Sequence, residues 1–343
     1  MTSEVPGSFP RFVIAGRLNR DFILPISGEP GIDVLGGNLV YAAAGLRLWG
    51  ESAGLLARVG KNYPQEWLGR IKNEGFDTSG IKVLAREMDH RRFMAHADLH
   101  SVHTRNPVQE FADRGLAFPN DLLGFRPQAG SHDSRTQPLG QSIQISDVPE
   151  GYLDASSVHL CPIDYLSHMI LPSVFRQGQA TTITLTPSPG YMSSSFWEEI
   201  PGLVSEITAF ITHEEDLRRL FQGRRTDLWE MAAILAGFGP EYVVIQTDAW
   251  AFYVYDRVSG NRWSVPLYQT HAVDPTSALD AFAGGFLAGY RKTYNPLDGA
   301  LMGSVAASLV MEGSGPFYAL EAMPELIDLR HAALRDMVQE ISK

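Results

Sequence analysis

Several absences narrow the class of this chain before any motif is read. Of its 343 residues one is cysteine, Cys161, so no intramolecular disulfide can form and a reducing compartment is expected. Nowhere do roughly 18 apolar residues run together, so no membrane-spanning helix is expected. The opening MTSEVPGSFPRFVIAG has no long apolar segment behind a basic one, so no secretory leader is expected. No basic run offsets 39 Asp and Glu against 28 Lys and Arg, a formal charge of -11, which argues against a nucleic-acid backbone as partner. The P-loop pattern G-x-x-x-x-G-K-[ST] and the elbow G-x-S-x-G are both missing. These absences predict a cytoplasmic, soluble protein with neither nucleic acid nor membrane as partner.

What is present is an alternation. Short apolar runs such as RFVIAG (Arg11–Gly16) and SAGLLARVG (Ser52–Gly60) have the pattern of buried strands. Between them stand helical segments closed by glycine, among them YAAAGLRLWG ending at Gly50 and Gln65–Glu74 before Gly75. The same alternation resumes from Ser157 to Thr247, with a hairpin expected over Ala251–Asp256 and Arg262–Pro266 and helices over the C-terminal third. This order predicts βαβ units and one α/β domain, a mostly parallel central sheet with helices on both faces. Residues from about Arg86 to Pro149 break the rhythm. They are rich in His, Arg, Asp, Pro and Gly, SHDSRTQPLGQS (Ser131–Ser142) reads as an exposed loop, and the region is read as an excursion from the sheet.

Near the C-terminal helices stands DPTSALDAFAGGFLAGY, Asp274 to Tyr290. A polar turn enters a small-residue helix, and an acid, Asp280, sits in the first turn. Unpaired amides and the helix dipole make such an entrance an anion site, and an acid beside it can take a proton from a hydroxyl. Together these are what phosphoryl transfer asks of a protein. The plainer alternative is an acid that complements the dipole.

The stretch resembles the C-terminal signature of the ribokinase-like (PfkB) carbohydrate kinase family, D-[TP]-T-G-A-G-D-x-F-x-x-G, matching at Asp274, Pro275, Thr276, Ala278, Asp280, Phe282 and Gly285. GRLNRDFIL (Gly16–Leu24) resembles the family's first strand, and LGGNLVYAAAGLRLWGESAGLLARVG (Leu35–Gly60) its first signature. The resemblance implies a three-layer α/β/α ribokinase-like, Rossmann-like fold as a single domain over 1–343, with a small β lid from about 17–38 and 86–115. It implies transfer of the ATP γ-phosphate to a hydroxymethyl group of a small-molecule sugar or nucleoside, with ATP and Mg2+ as cofactors. Asp280 would be the base, and the backbone of Ser277, Ala278 and Leu279 would form the anion hole. Asn19, Asp21, Gly36 and Gly37 would hold the substrate, with Asp248 and Thr276 on the nucleotide side and Asp216 on the metal through water. A homodimer through the lid fits the same resemblance.

The phosphate end departs from the family. SALD replaces GAGD, so Ser277 and Leu279 stand at glycine positions; a non-glycine residue held left-handed costs roughly 1 kcal/mol. Leu279 is expected to add an apolar side chain where the phosphoryl group would pass. HEED (His213–Asp216) replaces N-x-x-E, and QTDAWA (Gln246–Ala251) replaces T-L-G-x-x-G, bringing the charge of Asp248 near a polyphosphate. Tyr41 stands at the family's asparagine position. These departures keep open a second reading, a catalytically silent ribokinase-like sugar-binding or regulatory protein.

Other features have structural readings. His90, His96, His100 and His103 would suit a metal only on a helix. Arg91 and Arg92 read as a solvated loop, or as ligands of an anionic substrate. Cys161 reads as a buried small residue, Gly284-Gly285 as a helix-packing site, and TPSPGYM (Thr186–Met192) as a turn.

Overall fold

A computed structural model describes residues 9–127 and 133–342. Ser131 and His132, which open the expected loop SHDSRTQPLGQS, lie outside the described residues, as do residues 1–8, in which a leader was sought.

The chain begins with β1 (Phe12–Ala15), whose side chains point alternately to opposite faces, as a strand requires. Phe12 and Ile14 join one apolar cluster, whereas Val13 and Ala15 join another on the far side. β2 (Asn19–Leu24) and β3 (Gly31–Gly36) form an antiparallel pair apart from β1. Then come α1 (Asn38–Arg47), β4 (Ala53–Gly60), α2 (Gln65–Asn73) and β5 (Ile81–Leu84). β6 (Arg91–His96), β7 (Val102–His103) and α3 (Pro107–Asp113) fill the excursion. The alternation resumes with β8 (Ser157–Leu160), α4 (Tyr165–Gln177), β9 (Thr182–Leu185), α5 (Ile200–Val204) and β10 (Ala209–His213). Next are α6 (Glu214–Leu220), α7 (Leu228–Gly237), β11 (Tyr242–Gln246), β12 (Ala251–Asp256) and β13 (Arg262–Pro266). The chain closes with α8 (Ala278–Thr293), α9 (Pro296–Val310), α10 (Pro324–Met337) and β14 (Gln339–Glu340).

The main sheet has 10 strands in the order β14-β13-β12-β11-β10-β9-β8-β1-β4-β5. Every pairing from β11 to β5 is parallel, and the expected hairpin adds the antiparallel edge β12-β13. The C-terminal helix ends at Met337, and β14 then pairs with β13. A second sheet has the order β3-β2-β6-β7 and its own core of Phe22, Leu24, Phe93, Ala95, Phe111 and Leu122, so it stands apart from the main sheet, within the segments where a lid is expected. Among the described residues no helix is long and apolar enough to cross a membrane.

Small residues let α1, α8 and α9 pack backbone to backbone. A Cβ on Gly284 would strike the Ala42 carbonyl of α1, and one on Gly285 would come within 2.8 Å of the Met302 carbonyl of α9. This contact sets the position of the α8 entrance. Gly284→Ala is expected to lower stability by about 1–3 kcal/mol in urea unfolding, because the obstacle is backbone and cannot swing away. Gly69 in α2 meets nothing within 4 Å, so Gly69→Ala should add about 0.5–1 kcal/mol in the same assay.

Candidate active site

The parallel strands end where α1 and α8 begin, the place where open α/β sheets form clefts. The turn into α8 is built by its own residues. The Asp274 carboxylate accepts from the Thr276 amide at 3.0 Å, and Pro275 fixes the backbone between them. Ser277 then adopts φ 58 and ψ 25, the left-handed conformation, so the chain takes the shape a glycine would allow with a serine in place. No side chain caps the first turn of this 16-residue helix. Leu279 differs from expectation: it is 4% exposed and packs into the main apolar cluster, so its side chain is committed to the core.

Asp280 is buried at the same entrance. Burial pushes its carboxyl up to about 6; Arg92 and the Ser277 hydroxyl oppose the rise and the Asp21 charge adds to it. The group is therefore mostly ionised at neutral pH while remaining basic enough to accept a proton.

Opposite stands the turn between β1 and β2. Asn38 ties it down: its oxygen accepts from the Arg17 amide at 2.7 Å and its nitrogen donates to the Pro162 carbonyl at 2.7 Å. Gly37 has φ 106, and a Cβ there would strike the Arg17 carbonyl; one on Gly36 would fall on the Asp21 carboxylate. The glycine pair thus brings the α1 entrance against Asn19 and Asp21. Asp21 is fully buried, and both its oxygens are taken by Arg92, from Nε at 2.9 Å and Nη2 at 2.6 Å. Nη1 of Arg92 lies 3.5 Å from the Ser277 hydroxyl, across the cleft. Asn19, with its amide turned to satisfy both partners, donates to the Leu18 carbonyl and accepts from Arg92 Nε at 3.3 Å. Tyr41 is buried, and its hydroxyl has no partner among the described residues.

Arg92 is where the sequence reading fails. Arg91 and Arg92 lie in a strand, not a solvated loop: RRFMAH is β6, with Phe93 and Ala95 in the small sheet's core and Arg92 and His96 on the opposite face. The signal was the alternation within RRFMAH, masked by the polar residues around it. His96 Nε2 meets the Thr276 hydroxyl at 2.8 Å and lies 3.8 Å from Asp274. Burial, then Arg114 and Arg92, push the His96 pKa down to about 4, so the ring is neutral at pH 7 and the contact with Asp274 is not an ion pair. The histidines do not converge. His90 accepts from the Gly60 amide at 2.9 Å, and His103 pairs with Glu110 at 2.6 Å. Among the described residues no group of three or more His, Cys, Asp or Glu could hold a metal.

On the expected nucleotide side, Asp216 is paired with Arg219 of its own helix. Glu214 accepts from Arg218 at 2.7 Å and, through its other oxygen, from the Asp248 amide at 3.1 Å. Asp248 is exposed, Thr276 is buried, and Trp250 adopts φ 57 while packing against the main core.

The pfkB family carbohydrate kinase model matches residues 164–323, a span that includes the α8 entrance. A cytidine kinase from Thermococcus kodakarensis is 26% identical over 280 residues, covering 82% of this chain and 88% of the relative. Over residues 164–323 the chain is thus similar to the pfkB carbohydrate kinases. Solved structures agree on the fold. Vibrio cholerae O395 fructokinase, in a form with fructose, ADP and calcium bound, is 17% identical with a TM-score of 0.67, covering 95% of this chain and 99% of its own. Burkholderia thailandensis nucleoside kinase in complex with inosine is 17% identical with a TM-score of 0.65, covering 94% and 98%. The chain thus has the ribokinase fold over nearly its whole length, whereas its family-model match begins after Asn19, Asp21 and the glycine pair.

Two tests follow from the buried charges. Arg92→Ala should cost about 3–5 kcal/mol, because it strands the Asp21 charge, and the pair Asp21→Asn with Arg92→Met should regain most of that in urea unfolding. Asp280 has a folded pKa near 6, above the unfolded value of about 3.9, so its ionisation opposes folding. The favourable difference is whole below pH ~4 and is lost as pH rises through ~6. Asp280→Asn should therefore outmelt the wild type by about 2–3 kcal/mol at pH 7.5 and by much less at pH 4.5, and a gap that ignores pH would contradict the raised pKa.

Proposed function

We propose that this chain is a phosphotransferase that moves the γ-phosphate of ATP to a hydroxymethyl group of a sugar or nucleoside. The observation that carries the reading is a buried acid of raised pKa at an uncapped helix entrance, facing Asn19 and Asp21 across a single arginine. The pfkB family match over residues 164–323 supports the class, and the cytidine kinase relative puts nucleosides beside sugars among the acceptors to be tried.

The residues present fit a bound triphosphate at the α8 entrance, where a left-handed turn and an uncapped helix offer amides and a positive dipole end. Amides of Ser277, Ala278, Leu279 and Asp280 would receive the transferred group, and Thr276 and Asp248 would flank the nucleotide. Asp216 would reach a metal through water once released from the half-exposed Arg219. Bound Mg-ATP supplies the phosphoryl group and the cation that offsets its charge. Asp280 takes the hydroxymethyl proton as the new O–P bond forms and ADP leaves. Arg92 holds Asp21 and adds positive charge beside Ser277, where negative charge is in transit. In this reading the chain is one domain over 1–343, and segments 17–38 and 86–115 close over the acceptor as the lid, through which two copies would pair.

A second reading, a silent sugar-binding protein, is favoured by one observation: Glu214 and Asp216 are already paired with Arg218 and Arg219. ADP release with Mg-ATP against a panel of sugars and nucleosides separates the two. Asp280→Asn should lower kcat by about 10²–10⁴. For the wild type, kcat/KM should fall about tenfold per pH unit below ~6, where Asp280 is protonated and cannot accept. Turnover unchanged in Asp280→Asn would remove that residue as the base. Stabilisation by sugar alone, with none by Mg-ATP, would favour the silent reading.

A further inference from the structure

Between the small sheet and the β1–β2 turn lies a cavity of roughly 250 Å³, walled by Arg17, Arg91, Arg92, Arg126, Asn19 and Gln141, with Asp89 as the lone carboxylate among its described lining residues. In a chain of net charge -11 this is a local reversal of sign. The acid is already spent. Asp89 accepts from Arg91 Nε at 2.8 Å and Nη2 at 2.7 Å, while Nη1 of Arg91 donates to the carbonyls of Asp121 and Leu123. Asp21, the acid expected to accept from sugar hydroxyls, is closed by Arg92 on both oxygens.

Donors, by contrast, are left over. Arg17 donates through Nη2 to the Ile163 carbonyl, but its Nε is buried with no partner among the described residues. The acids behind Arg17 are committed elsewhere: Asp133 accepts from the Tyr165 amide at 2.9 Å, and Asp164 accepts from the hydroxyls of Ser142, at 2.9 Å, and Ser167. Arg126 has no hydrogen bond or ion pair among the described residues. A neutral polyol needs acceptors for its hydroxyl protons, and beyond the spent Asp89 the lining side chains offer the amide oxygens of Asn19 and Gln141 and the Thr104 hydroxyl against four guanidinium groups. An anion needs donors, and guanidinium groups match carboxylate and phosphate oxygens two at a time.

We propose that the acceptor carries an anionic group, a carboxylate or a phosphate, held by Arg17, Arg92 and Arg126 while its hydroxymethyl group faces Asp280. This rests on the phosphotransferase reading for the role of the cavity, but its binding test does not depend on turnover.

Titration calorimetry of the full chain, without nucleotide, compares D-gluconate and D-fructose 6-phosphate with D-fructose and cytidine. At least one anionic probe should bind tenfold or more tightly than both neutral ones, and weaken as salt rises. Tighter gluconate assigns the carboxylate, tighter fructose 6-phosphate the phosphate. Arg17→Met should lower that affinity at least tenfold, and the exposed Arg126→Gln, which threatens folding little, severalfold. Neutral probes binding as well as charged ones, or no probe binding at all, would overturn the proposal. Anion binding with no transfer from Mg-ATP would leave it standing and count against the phosphotransferase reading instead.

Discussion

The bidentate pair between Arg92 and Asp21 is the contact on which the site depends. Asp21 is fully buried in the small sheet, and a carboxylate removed from water needs an opposite charge held close. Arg92 supplies it from the adjacent parallel strand, β6, at a register position directly across from Asp21. The same guanidinium reaches Ser277 and moderates the pKa of Asp280. One side chain therefore links the stability of the lid sheet to the ionisation of the acid at the helix entrance. Displacing β6 would withdraw a cation from Asp280 and make its carboxylate harder to keep ionised.

The main sheet explains how the other half of the site is fixed. Gly45, Gly284 and Gly285 bring three helices into backbone contact, so the first turn of α8 cannot shift without breaking apolar packing. Asp280 is thus held in a place that penalises its charge. A residue chosen for stability alone would be neutral there, and the burial of an ionised acid against that preference is what a functional site looks like in free-energy terms.

The parallel core was legible in the sequence because its strands are continuous apolar runs and its helices end at glycines such as Gly50 and Gly75, where the backbone has positive φ. The α8 entrance and the glycine pair were legible through their resemblance to family signatures, in which particular residues recur in a fixed order. The lid strand β6 was not, because its apolar members Phe93 and Ala95 alternate with Arg92 and His96 inside a polar region. Its partner choice is also long-range: Arg92 meets Asp21 across 71 positions of chain. Nor could spacing show that Leu279 turns inward, since the direction of a side chain in a first helical turn is set by the neighbouring core and not by the motif.

That inward turn bears on the missing glycines. Glycine serves two purposes near phosphate: it permits left-handed backbone, and it leaves room. In this chain the two are supplied separately. Ser277 and Trp250, at φ 58 and 57, keep left-handed residues in the two stretches that depart from the family's glycine patterns. The side chains of Leu279 and Trp250, which would take up such room, pack against the main core instead. Left-handed non-glycine residues are disfavoured by roughly 1 kcal/mol or more each, and they persist only where the surrounding structure enforces them. A chain released from any need to approach an anion would gain by relaxing both turns. Both turns are nevertheless retained, one of them three residues before the buried Asp280, and the phosphate-binding role proposed for that entrance would account for the cost.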